Sequence, residues 1–80
     1  MKVNVLYFSS IRDKLGKQQE EIEFEGGSIK DFKEKIAQLY PDIKDNLDKV
    51  MFAVNEEYVD LDFVVKEGDT IGIIPPVSGG

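Results

Sequence analysis

The sequence predicts an α+β domain: one mixed β-sheet crossed on one face by one main helix. Three observations predict it. Short segments rich in β-branched and aromatic residues, bounded by turn residues, occur near both ends of the chain. Between them a single segment carries apolar residues at helical spacing, Ile29, Phe32, Ile36 and Leu39. At 80 residues, with 41% hydrophobic residues, the chain has material for one core and no more.

The elements follow in order. Residues 2–8 alternate, with Val3, Val5 and Tyr7 on one face and Leu6 and Phe8 on the other, so a first strand covered at least partly on both faces is expected. Ser9 or Ser10 is placed to cap a short helical turn over residues 11–15, which Gly16 would end in a left-handed conformation. Residues 21–25 read as a charged edge strand, Ile22 and Phe24 inward and Glu21, Glu23 and Glu25 toward solvent. Gly26 and Gly27 break the chain, and Ser28 with Asp31 three residues on starts a helix in the manner of a capping box. That helix should run to about Tyr40, where Pro41 stops it, with its apolar stripe in the core.

Residues 42–49 are polar, with Ile43 and Leu47 as the only anchors. A third strand is expected over 50–54, then a turn at Asn55-Glu56-Glu57 into a hairpin partner over 58–61. Phe63, Val64 and Val65 are apolar, and Lys66-Glu67-Gly68-Asp69 turns the chain into a last strand, Thr70–Ile74. This strand and the first are apolar enough to lie adjacent and parallel in the middle of the sheet.

Composition removes most chemistry. With no Cys and no His there is no disulfide, thiolate nucleophile, zinc finger or imidazole base, and no pair of carboxylates is placed in an obvious cleft. No side-chain active site is expected. A formal net charge of −6 disfavours nucleic acid and anionic membranes as partners. No stretch approaches the ~18 apolar residues of a membrane span and no signal-peptide pattern opens the chain, so a cytoplasmic location is expected.

The informative part is the tail, Pro75-Pro76-Val77-Ser78-Gly79-Gly80. Two prolines cannot continue a sheet ladder and favour an extended path away from the domain. Six residues at ~3.3 Å each reach up to about 20 Å. Gly79 and Gly80 lack side chains, so the end can pass a narrow channel and present its carboxylate to a reagent. The expected division is a domain over 1–74 and a carrier tail over 75–80.

With these residues the chain resembles the ubiquitin-like sulfur carriers, and within them the small subunit of molybdopterin synthase (the MoaD family). The likeness runs over nearly the whole chain: the opening strand and residues 10–16, Ala53-Val54-Asn55, Glu67-Gly68-Asp69, and above all residues 74–80. The resemblance implies a β-grasp (ubiquitin-like) fold. It implies that an ATP-dependent adenylyltransferase related to ubiquitin-activating enzymes adenylates Gly80, and that a persulfide donor converts the adenylate to a thiocarboxylate. The sulfur would pass to cyclic pyranopterin monophosphate on the synthase large subunit, within a heterotetramer, with no bound cofactor or metal on this chain. The family's partner-facing positions fall on Phe8, Arg12, Tyr58 and Ile74. Another sulfur pathway of the thiamine type, a lysine-conjugated modifier and a plain binding module are the alternatives; the proline pair and the chain length argue against the first.

Overall fold

The computed structural model describes residues 1–76. Its elements are β1 (Lys2–Tyr7), α1 (Ser9–Leu15), β2 (Gln19–Glu23), β3 (Gly27–Ser28), α2 (Ile29–Leu39), β4 (Met51–Val54), β5 (Glu57–Val59), β6 (Val64–Val65) and β7 (Thr70–Ile74). Two 3₁₀ turns, Pro41–Ile43 and Asn46–Asp48, lie between α2 and β4. The main sheet has the order β2-β1-β7-β4-β5, and β3 and β6 form a separate two-stranded ladder. Strands β1 and β7 are parallel and interior, as the sequence predicts, and β2 lies at an edge.

The core lies between the sheet and α2. Val3, Val5 and Tyr7 from β1, Ile71 and Ile73 from β7, and Phe52 and Val54 from β4 point into it, against Ile29, Phe32 and Ile36 of the helix. Phe32 is the hub, meeting Phe24 edge to face at 5.7 Å and Phe52 at 6.4 Å between ring centroids. Such pairs add to simple burial because ring edges and faces carry opposite partial charge. The anchors Ile43 and Leu47 are buried, fastening an otherwise polar segment.

Local chemistry sets the ends of α2. Ser28 accepts from the Asp31 amide while the Asp31 carboxylate accepts from the Ser28 amide, satisfying two otherwise orphaned donors. Gly27 has φ +125 and stands where a Cβ would meet the Asp31 carboxylate at 2.3 Å, so a side chain there would break this cap.

Four expectations need correction. Leu39 is exposed: a stripe through Ile29, Phe32 and Ile36 continues four residues on, and it is Tyr40 that packs against the core. Neither Ser9 nor Ser10 caps α1, which starts after Phe8 with no side-chain cap. Gly16 does close that helix, at φ 72. Strand β2 begins two residues earlier than expected, bringing Glu20 into phase with Ile22 and Phe24. Finally, no helix covers the second face of β1 and β7; along it Lys2 and Asn4 project into solvent, Leu6 is half-buried, and Gly72 is buried.

Candidate functional site

The uncovered face owes its character to strand register. Leu6 pairs with Gly72 and Gly72 with Ala53, which in turn pairs with Tyr58. One row across the sheet therefore reads large, small, small, large. Phe8 and Ile74 extend it toward the end of β7, and Met51 is the partner of Ile74. Leu6, Phe8, Tyr58 and Ile74 wall a hollow of about 550 Å³ with Gly72 and Ala53 in its floor.

Phe8 is 40% exposed and Tyr58 is 65% exposed, so neither is core. The structure thus brings together three of the four sequence-derived contact residues, Phe8, Tyr58 and Ile74, around one apolar depression. Exposed aromatics grouped on an uncovered sheet face have the composition that protein interfaces favour. Arg12 does not join them. Its guanidinium, on α1, lies 3.7 Å from Asp13 in an exposed pair.

Sequence reading missed the floor and the polar end of the hollow. That end is formed by Asn55, Glu56 and Thr70. Asn55 is locked by bonds from its side-chain amide to Asp69 and from the Thr70 amide to its oxygen, at 3.1 Å each. Asn55 and Glu56 both take positive φ, 52 and 73, as the two central residues of a tight hairpin turn must. The available signal was Gly72 itself, since glycine inside a central strand marks a close approach by something else.

A second polar cluster lies on the opposite side, under the edge strand. The Glu20 carboxylate accepts from Tyr7 Oη at 2.5 Å, from Lys17 Nζ at 3.2 Å and from Tyr40 Oη. Lys17 also donates to Tyr40 Oη at 3.1 Å and lies over its ring, 5.3 Å from the centroid. Burial pushes the Glu20 carboxyl up, but the bonds from Tyr40, Tyr7 and Lys17 outweigh it and hold the group below its ordinary value. Burial and the Glu20 bond together drive the Tyr7 hydroxyl far above its own. This cluster is a clasp joining β2 to the end of α2.

Ile74 is at the rim of the hollow; beyond it Pro75 is still buried against the domain and Pro76 is exposed. Val77, Ser78, Gly79 and Gly80, the expected carrier residues, lie outside the described residues. Among the described residues no group of three or more acidic, His or Cys side chains is placed to hold a metal, and no helix is long and apolar enough to cross a membrane.

A five-stranded mixed sheet with a long helix across one face and a short one after the first strand is the β-grasp, or ubiquitin-like, fold, which by itself assigns no role. Sequence comparison agrees and narrows the class. The chain belongs to the ThiS family, whose profile matches residues 5–80. A relative named molybdopterin synthase sulfur carrier subunit, from Mycobacterium tuberculosis, is 35% identical over 82 residues, covering 100% of this chain and 99% of its own. The solved structure of a putative molybdopterin converting factor subunit 1 from Pyrococcus furiosus is 37% identical with a TM-score of 0.85, covering 96% of this chain and 99% of that one. A complex of subunits 1 and 2 of the molybdopterin-converting factor from Helicobacter pylori contains a chain 30% identical, with a TM-score of 0.73 and full coverage of both.

Proposed function

We propose that this chain is the sulfur-carrier subunit of a molybdopterin synthase, acting in molybdenum-cofactor biosynthesis. The observation that carries the reading is spatial: the apolar hollow of Phe8, Tyr58 and Ile74 lies beside Pro75 and Pro76, the residues that lead into the tail. A partner seated on the hollow would have the tail within reach of its own active site, six residues spanning up to about 20 Å. The relatives' names and the Helicobacter pylori pair support the synthase large subunit as that partner.

The chemistry belongs to Gly80. A carboxylate is a poor electrophile, so an adenylyltransferase joins its oxygen to the α-phosphorus of ATP with loss of pyrophosphate. The terminal sulfur of a persulfide donor then attacks the acyl carbon and AMP leaves. A thiol cleaves the resulting acyl disulfide, leaving a thiocarboxylate. On the large subunit that sulfur passes to cyclic pyranopterin monophosphate, and a second loaded carrier completes the dithiolene. This chain contributes reach, a bare backbone and a docking face; it is the sulfur-donor subunit and supplies no side-chain catalyst.

Deletion of Gly80 tests this. It should leave folding and docking unchanged, because the tail adds little buried area. Sulfur transfer should vanish, because one residue moves the terminus by about 3.3 Å, whereas reacting atoms must approach within about 3–3.5 Å. Conversion of the pyranopterin precursor in a reconstituted system is the readout, with intact mass reporting replacement of one oxygen by sulfur. Full activity without Gly80 would refute the carrier mechanism.

A further inference from the structure

Gly72 sits in the middle of the central strand, where glycine weakens a sheet and a β-branched residue would strengthen it. Its backbone is not in the left-handed region, so conformation does not require glycine. A Cβ placed there would stand 3.3 Å from Phe8 Cε2, against the end of an exposed ring that can move aside. The Phe8 ring is the one tight neighbour that a side chain at this position would have to displace. What the absence of a side chain does is keep the hollow open.

Glu56 presents the same inversion at the hollow's polar end. It occupies the second position of a turn whose φ of 73 favours glycine, so its backbone is strained. Glu56 lines the hollow, and its carboxylate enters no ion pair among the described residues. Both positions hold a residue that the fold disfavours, on opposite parts of one depression.

We propose that the hollow is a socket for a single bulky apolar side chain of the partner, seated over Gly72, with a partner lysine or arginine set beside it against Glu56. The inference rests on the docking reading above and adds the partner's chemistry to it. Apolar walls select the knob, and filling the floor excludes the water that would otherwise occupy it. Charge complementarity selects the cation: the chain carries −6 overall, and the adjoining hairpin holds Glu56, Glu57, Asp60 and Asp62 with no basic residue among positions 50–65. A cation at the rim also orients the partner, since the apolar row alone does not distinguish its two ends.

The test is calorimetric titration of the full chain with the molybdopterin synthase large subunit of the same organism, at low and high salt. Gly72→Val should bind at least about tenfold more weakly while melting at or above the parent temperature, a pairing that misfolding does not produce. Gly72→Ala should give a smaller loss in the same direction, and decides the matter if valine disturbs the strand. Glu56→Gly should melt higher than the parent, bind several-fold more weakly at low salt and flatten the salt dependence. Undiminished binding by both Gly72 variants, or an unchanged salt slope in Glu56→Gly, would overturn the socket while leaving the carrier function standing. Failure of the unsubstituted chain to bind would remove the docking reading and the socket with it. Self-association abolished by Gly72→Val would assign the hollow to a second copy and overturn the proposal.

Discussion

The two faces of the sheet obey different rules. On the face under α2, each local preference agrees with the tertiary demand: Val3, Val5, Val54 and Ile71 are β-branched residues in strands, buried and in phase. On the open face the preferences conflict. Glycine interrupts the central strand, a glutamate takes a glycine conformation, and Phe8 and Tyr58 stand in solvent. Agreement across levels is what specifies a fold, and local disagreement concentrates where a protein meets something else. On the docking reading proposed above, the covered face carries stability and the open face carries recognition.

Substitutions that separate these two burdens sharpen the comparison. The largest effect is expected from Phe32→Ala, which removes the ring joining Phe24 to Phe52. It should cost about 3–5 kcal/mol, most of the stability of a domain this small. Urea denaturation followed by circular dichroism measures it, and a loss below about 1 kcal/mol would mean the core is centred elsewhere. Tyr58→Asp comes next, on the other face. It should weaken docking on the large subunit by about 2–4 kcal/mol, yet shift stability by no more than about 0.5 kcal/mol, because the side chain is 65% exposed. Equal damage to both quantities would erase the distinction between the faces.

How much of this was legible in the sequence follows the same division. Period-two and helical spacing encode burial, so the five strands of the main sheet, the interior placement of β1 and β7, the Ser28–Asp31 cap and the core stripe through Ile36 could be read from residue order. The two-residue strands β3 and β6 are too short to show a period. Nor could the hollow be read that way. It depends on which residues of β1, β7, β4 and β5 become neighbours, and register across four strands is a tertiary fact. Phe8, Tyr58 and Ile74 came from a resemblance; Ala53 entered it only as part of a matching turn, and Gly72 and Glu56 had no such guide. Glu20 was missed for a smaller reason. Starting β2 at residue 21 discards the one acidic side chain in phase with Ile22 and Phe24, and with it the partner of Tyr7 and Tyr40.

Glu20→Gln should therefore be the third effect in size, about 1–3 kcal/mol, since it leaves two partly buried hydroxyls and Lys17 facing a weaker acceptor. Its pH dependence has a definite sign. The folded chain holds the Glu20 proton more weakly than the unfolded chain, whose reference value is 4.5. The clasp's contribution is thus complete above that value and is lost as pH falls through the lower folded one. The substituted protein should lose that acid-dependent part of its stability. Tyr7 acts at the other extreme: its hydroxyl is raised from 10.0, so its stabilisation is full below that pH and declines above it. Thermal unfolding of both proteins from pH 3 to pH 7 checks the acid limb, and parallel curves would show that Glu20 is not coupled to folding. Docking at pH 7 should be unaffected, because the clasp lies under the covered face.

The smallest effect is the most discriminating. Leu39 is 46% exposed, slightly more than Phe8, so exposure alone ranks it as a better candidate for a binding residue. It lies on α2, away from the hollow and outside the core stripe, where Tyr40 has taken its expected place. Leu39→Gln exchanges an exposed apolar side chain for a polar one with comparable helix propensity, so stability should change by less than about 0.5 kcal/mol. Docking on the large subunit should not change measurably. The pair Leu39→Gln and Tyr58→Asp then asks whether recognition follows apolar exposure as such or position on the open face. A clear docking defect in Leu39→Gln, measured by the same titration, would mean that the partner reaches round the helix and that the two faces share the work.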